Sequence, residues 1–415
     1  METRILRISQ DHLWGKFSDK SLTKWMVLPS NHSAQLEEAA MLLRHKDVPV
    51  AFPTETVYGL GADATRSESV REIFKAKGRP SDNPLIVHVC DLTMLRSLLP
   101  STTAKKHGVS GKDGDIPEIY KPLISRFWPG PLTILLPRPQ PGHSPERQLA
   151  EEVTGGLDTF GARMPNSPLA LSLISMADTP LAAPSANAST KPSPTMAQHV
   201  KDDLNGKIEF IIDGGSCQVG VESTVVDGLC QPPVVLRPGG IGIDELRECP
   251  GWEEVKDAYK DKPETDCTPR APGMKYKHYS PRANVVLYEH AAAKVERPLI
   301  QSLEKEAGQG LVGIIRTGGW NTIDTYFEFM SSSVVNDSLF QHCVVEYAHP
   351  NFEGRVVDIN LGSEPKLIAH GLFSALRYLD QQGATTIIVE GIDDKNDITT
   401  AVMNRLRKAA SEIRS

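Results

Sequence analysis

Hydroxyls and cations recur where short apolar runs of this chain end. Val48 to Phe52, halted by Pro53, has the pattern of a buried strand, which delivers Thr54, Glu55 and Thr56 to its exit. Such exits hold side chains rigidly and leave them reachable. His88 closes the run Pro84-Leu-Ile-Val-His88, Arg163 closes Thr159-Phe-Gly-Ala-Arg163, and Ser185 and Asn187 follow the short strand Pro180 to Ala183. Ser223 opens one later strand, Arg237 ends another, and Lys77 and Arg79 flank Gly78 where a helix stops. This set is poor in nucleophile–base pairs. The chain has no Gly-x-Ser-x-Gly elbow, no His-Glu-x-x-His, no cysteine at a helix start and no Gly-x-x-x-x-Gly-Lys-Ser/Thr loop. What such residues can do is position a polyanion and stabilise its charge, the mode that phosphoryl and nucleotidyl transfer use. Taken singly, each also fits a plainer role: threonines capping a helix, basic residues at its C-terminal dipole, a core histidine, a turn arginine.

The 415 residues exceed the usual size of one core, which implies two domains. A net charge of −7 argues against a main affinity for nucleic-acid backbones, although a local basic cavity is compatible with it. Six scattered cysteines without a Cys-x-x-Cys pair suit reduced thiols of an intracellular protein. No apolar run reaches membrane-spanning length. Arg4, Arg7, Lys16, Lys20 and Lys24 hint at an organelle presequence, and Glu2, Asp11 and Asp19 dilute the hint. The expectation is a cytoplasmic protein, with a mitochondrial fraction left open.

The elements that must hold these residues alternate. Ala34 to Arg44 has helical spacing. Ser67 to Lys77 does too, with Ser67 as N-cap, Glu68 in its first turn and Gly78 as its stop. Leu92 to Leu99 and Ile116 to Phe127 follow as helices, residues 100–115 and Pro137 to Gly156 as polar loops, and Leu132 to Leu136 as a strand. Leu169 to Met176 and Gln198 to Leu204 are helical, and Ile208 to Ile212 is a strand. The class is therefore α/β with a twisted mixed sheet. Residues 1–33 form an N-terminal extension and 34–258 the first domain, 259–283 a Pro- and Lys-rich linker, and 284–415 a smaller Rossmann-like α/β domain. In the last, Asn284 to Tyr288, Leu311 to Ile315, Cys343 to Glu346 and Thr386 to Glu390 are strands, and Leu367 to Leu379 and Ala401 to Ala410 helices. No Gly-x-Gly-x-x-Gly supports a dinucleotide site there.

Pro53-Thr-Glu-Thr-Val-Tyr-Gly-Leu60, Lys77-Gly-Arg-Pro80, Asn83-Pro-Leu-Ile-Val-His88, Trp128-Pro-Gly-Pro-Leu-Thr133, Pro184-Ser-Ala-Asn187 and Ser223-Thr-Val-Val-Asp227 together resemble the YrdC-like family. The linker string Pro272-Gly-Met-Lys-Tyr-Lys-His-Tyr279 and the C-terminal domain resemble the long, two-domain threonylcarbamoyl-AMP synthases of that family. The resemblance implies a YrdC-like sheet with helices around a basic cavity. It also implies a nucleotidyltransferase that joins L-threonine, bicarbonate and ATP into threonylcarbamoyl-AMP and pyrophosphate. The product would pass to a tRNA threonylcarbamoyl-transferase complex that modifies ANN-decoding tRNAs.

By the same resemblance Thr56, His88, Arg163, Ala183 and Ser223 would surround threonine. Arg79, Asn83, Thr159, Ser185, Asn187, Ser193, Arg237 and Tyr276 would hold ATP, and Lys77 with Arg79 would oppose charge at the leaving pyrophosphate. Mg²⁺ would be held mainly by phosphates, with no protein metal site, and the linker would cover the active site. One departure stands out: Asp397-Ile-Thr-Thr400 occupies the place of the family's glycine-rich lead into the Met403-Asn-Arg-Leu406 helix. Three other readings stay open. They are an RNA-binding module with weak or indirect nucleic-acid contact, the carbamoyltransferase of hydrogenase maturation, whose Cys-x-x-Cys zinc sites are missing here, and an adaptor without chemistry. Oligomeric state is not legible.

Overall fold

A computed structural model describes residues 2–8, 14–30, 33–100, 115–139, 145–259, 278–289, 310–320, 328–337, 340–349, 352–395 and 397–414. The chain divides into two compact units. One comprises Met1–Ser189, Pro194–Cys217 and Glu222–Lys275, the other Thr190–Ser193, Gln218–Val221 and Tyr276–Ser415.

The first unit is built on an eleven-stranded mixed sheet. Its order is Arg4–Arg7, Phe210–Asp213, Val50–Phe52, Gly59–Asp63, Leu181–Ala182, Ile86–His88, Thr159–Arg163, Leu132–Pro137, Thr224–Asp227, Val234–Arg237, Lys256–Asp257. Leu36, Ala39, Ala40 and Leu43 of the helix Ser33–His45 are buried, as their i, i+3, i+4, i+7 spacing requires of a face turned to the core. The helix Ser67–Lys77 buries Val70, Ile73 and Phe74 and ends on Gly78 in the left-handed conformation (φ 63°). Ser67 is its first helical residue and not its cap. Arg66 holds the N-cap position without a capping bond from its side chain, and the Ser67 hydroxyl bonds Glu152 instead.

Three further elements depart from the sequence expectation. Gly59–Asp63 is a strand although it has no alternation, because it packs against Phe52 at a distance no side chain tolerates: a Cβ on Gly61 would lie 2.6 Å from the Phe52 ring. Glu151–Thr154 is a short helix inside the expected polar loop. Arg4–Arg7 is a sheet strand, parallel to Phe210–Asp213, with the Arg4 guanidinium 4.0 Å over the Phe210 ring. The opening residues are thus part of the sheet. Of the loop expected at 100–115, residues 101–114 lie outside the described residues.

The second unit carries a seven-stranded sheet in the order Glu328–Asp337, Phe340–His349, Phe352–Asn360, Leu311–Arg316, Ala384–Glu390, Asn284–Tyr288, Glu412–Arg414. The last five are mutually parallel and the first two add an antiparallel meander at the edge. The parallel part is the Rossmann-like architecture expected. From Leu311–Arg316 the chain leads toward one edge and from Ala384–Glu390 toward the other, which opens a crevice of about 380 Å³ at their carboxyl ends. Backbone amides of Thr317, Gly319 and Trp320, which could meet an anion there, instead bond the buried Glu390 carboxylate. Asp397 caps the helix Ile398–Ala409 by accepting from the Thr399 N–H at 2.8 Å, so the residues replacing the glycine-rich lead serve as a helix start.

The end of the linker is also described. Tyr279 is buried, its ring 5.3 Å from that of Phe373 and 5.7 Å beneath the Arg405 guanidinium. This part of the linker is anchored by its aromatic side chain within the second unit. Residues 260–277 lie outside the described residues. Among the described residues no helix is long and apolar enough to cross a membrane.

Candidate functional site

The loop leaving Val50–Phe52 is organised by one hydroxyl. Thr54 Oγ1 donates to the Val57 carbonyl (2.7 Å) and accepts from the N–H groups of Thr56 (3.2 Å) and Val57 (3.3 Å). This turn fixes the directions of Glu55 and Thr56, both buried. Arg163 reaches them from the end of its strand. Its Nη1 donates to Thr56 Oγ1 at 2.8 Å, its Nε to the Gly130 carbonyl at 3.3 Å, and its Nη2 lies 2.7 Å from Glu55 Oε1. Expected site residues Thr56 and Arg163 are therefore in direct contact.

His88 is the register partner of Arg163 on the neighbouring parallel strand, so the two side chains share a face. Its Nδ1 lies 3.2 Å from the Ile86 carbonyl, an acceptor. Burial first, and the Arg163 charge second, push its pKa down to about 3. A base with a depressed folded pKa contributes stability above its unfolded value of about 6.5 that is lost as pH falls from there toward about 3. At pH 5 the loss is about 2 kcal/mol. Urea unfolding at pH 7.5 and pH 5 checks this: His88→Gln removes most of the difference, and an unchanged difference would contradict the assignment.

Ser223 and Arg237 meet beside Thr133. Ser223 Oγ is 2.8 Å from Thr133 Oγ1, and Arg237 donates to the Ser223 carbonyl from Nε (3.1 Å) and Nη2 (2.9 Å) and to Ser223 Oγ from Nη2 (3.0 Å). Gly239 lets the chain pass this close, since a Cβ there would lie 2.2 Å from the Thr224 nitrogen. Thr133 was not among the residues expected at the site. Neither was Glu55, although it stands within the Thr-Glu-Thr string.

Other expected residues cluster where the central strands end near Ser185. Lys77 Nζ donates to the carbonyls of Ser185 (2.5 Å) and Asn187 (2.6 Å). Arg79 Nη2 donates to the Pro84 carbonyl at 3.2 Å, and the buried Asn83 Oδ1 faces no donor among the described residues. Ala183 has its amide committed to the Ile86 carbonyl at 2.9 Å, so its carbonyl is the backbone group it could offer. Ile86–His88 runs antiparallel to Leu181–Ala182 and parallel to Thr159–Arg163. Thr159 thus lies at the Ser185 end and Arg163 at the opposite one, about 13 Å away along the strand at ~3.3 Å per residue. The Thr54–Val57 loop also leaves the sheet at the Ser185 end, since Phe52 pairs with Gly59 and Gly59 bridges Ser185, so Arg163 reaches from its own strand end to Thr56 on that side. Arg237, expected with the nucleotide group, sits with Ser223. Ser193 is buried in Thr190–Ser193, a segment of the second unit, and Tyr276 lies outside the described residues.

Residues 43–239 match the Sua5, YciO and YrdC family described as "Telomere recombination", and residues 241–411 match "Threonylcarbamoyl-AMP synthase, C-terminal domain". The chain is similar to the threonylcarbamoyl-AMP synthase of Schizosaccharomyces pombe, at 46% identity over 94% of this chain and 92% of that protein. It is similar to the protein of the same name from Bacillus subtilis at 40% identity over 92% and 94%. Among solved structures, Pyrococcus abyssi Sua5 complexed with L-threonine matches with a TM-score of 0.74 and 37% identity, covering 99% of each chain.

Proposed function

This chain belongs to the two-domain threonylcarbamoyl-AMP synthase family, and from that premise we propose that it makes threonylcarbamoyl-AMP from L-threonine, bicarbonate and ATP. The threonine nitrogen takes up the bicarbonate carbon with loss of water to give a carbamate. A carbamate oxygen then attacks the α-phosphorus of ATP, the new P–O bond forms as the bond to pyrophosphate breaks, and pyrophosphate leaves with the electron pair.

The observation that carries this reading is that Arg163 reaches Thr56 on the loop beside Ser185, to which Lys77 donates. Arg163, with Thr56 and His88, suits a small carboxylate, while Lys77, with Arg79, Asn83, Ser185, Asn187 and Thr159, suits a polyphosphate next to it. His88 is neutral there and leaves Arg163 as the cation for the substrate carboxylate. Ser223, held by Arg237 and Thr133, and the Ala183 carbonyl would border the amino acid. Lys77 and Arg79 would oppose charge growing on the departing pyrophosphate. Arg237 would border the nucleotide from the Ser223 side.

The side chains of the polyphosphate group are cationic or neutral, with no carboxylate among them, so Mg²⁺ would arrive and stay on phosphate oxygens, where it offsets their charge. We place the reaction in the cytoplasm, ahead of a transferase complex that moves the threonylcarbamoyl group to tRNA.

Incubation with ¹³C-bicarbonate, threonine and ATP tests the carboxylation. The label is expected in the carbamoyl carbon of a threonine-containing adenylate, by mass spectrometry; an unlabelled adenylate, or one without threonine, would sink the reading.

A further inference from the structure

We propose that Glu55 pairs the α-ammonium of the amino-acid substrate and, with Arg163, makes the site read a zwitterion. The proposal rests on the threonine-using reaction above and adds how the amino acid is recognised.

Glu55 and Arg163 form a buried ion pair, with side chains 3% and 5% exposed and a single 2.7 Å approach between Oε1 and Nη2. That approach is poorly aligned. Among the described residues, neither Glu55 oxygen has a hydrogen bond in good geometry, and neither has Nη2. A second buried pair in the same chain shows what completion looks like: Arg316 Nε lies 2.9 Å and 3.0 Å from the two oxygens of Asp358. A buried carboxylate left without donors is unfavourable, and where a folded protein keeps one, a missing partner is the first explanation.

The missing partner of Glu55 is a donor, best a cationic one, adjacent to whatever anion Arg163 takes. An α-amino acid offers that arrangement, with its carboxylate and ammonium on one carbon. The charge balance agrees. Arg163 and Glu55 together are neutral, and His88 beside them is neutral, so the end of the site they form suits a ligand of no net charge and disfavours a phosphate or a dicarboxylate. The Thr54 turn fixes the backbone on either side of Glu55. Glu55 thereby becomes a specificity residue, separating an amino acid from the hydroxy acid of the same shape.

Calorimetric binding of L-threonine and of 2,3-dihydroxybutanoate, which carries a hydroxyl in place of the ammonium, tests this on the full chain. The unaltered protein is expected to bind threonine tighter by roughly tenfold to a hundredfold. Glu55→Gln is expected to weaken threonine by a similar factor and leave the hydroxy acid within about threefold, erasing the discrimination. Equal binding of the two ligands by the unaltered protein overturns the proposal even if the variant does not fold. Equal weakening of both by Glu55→Gln also overturns it, because Glu55 would then merely position Arg163. Failure of the unaltered protein to bind threonine at all would instead remove the reaction on which the proposal rests, and the proposal with it.

Discussion

Replacing Arg163 with alanine raises the threonine concentration needed for half-maximal turnover by roughly a hundredfold and leaves the ATP requirement within about threefold. A charge-assisted fork to a carboxylate in a buried site contributes on the order of 3 kcal/mol, which sets that factor. Arg163 is the cation in contact with Thr56 and Glu55, and its backbone lies about 13 Å along its strand from Thr159. The substitution also strands the Glu55 carboxylate, a loss of about 3–5 kcal/mol of stability when a buried pair is broken. The two effects separate in the double variant Arg163→Ala/Glu55→Ala. Stability returns there, because no charge is left unpaired, but threonine use does not. Steady-state kinetics with each substrate varied in turn, alongside urea unfolding, reads both. Equal rises in the threonine and ATP requirements of Arg163→Ala would contradict the role given to it.

Lys77→Met shows the opposite division: turnover falls by roughly 10²–10³-fold while threonine binding is unchanged. Lys77 is buried, with Nζ against the carbonyls of Ser185 and Asn187. Methionine keeps much of the stem and its packing and deletes the charge. Because that charge is assigned to the leaving pyrophosphate, its loss is felt in the transition state more than in the bound substrates. Single-turnover adenylate formation at saturating substrates is the measurement. Normal turnover with weakened threonine binding would place Lys77 in the other group.

Much of this site could be seen in the chain. Thr159–Arg163, Val234–Arg237 and Ser67–Lys77 each carry a local signal, and their polar ends were singled out on that basis. What was not legible depends on distance in sequence. The bond from Arg163 to Thr56 spans 107 residues, so the Thr-Glu-Thr string shows a carboxylate without showing that it is buried against a guanidinium. Arg4–Arg7 pairs with a strand some two hundred residues later, as the 201-residue span of the neighbouring bond from Thr3 to Leu204 shows, and a basic opening stretch gives no hint of that. Gly59–Asp63 hides for another reason, since its glycines answer to the Phe52 ring and not to any strand propensity. Exits of alternating parallel and antiparallel strands cannot be assigned to one rim without the register. The register places Thr56 beside Ser185, a proximity the sequence does not show.

Pyrophosphate release by the purified chain with ATP and Mg²⁺, omitting threonine and bicarbonate in turn, tests the central claim most directly. Release is expected only when both are present. Release indifferent to threonine, or none with all substrates supplied, would contradict it.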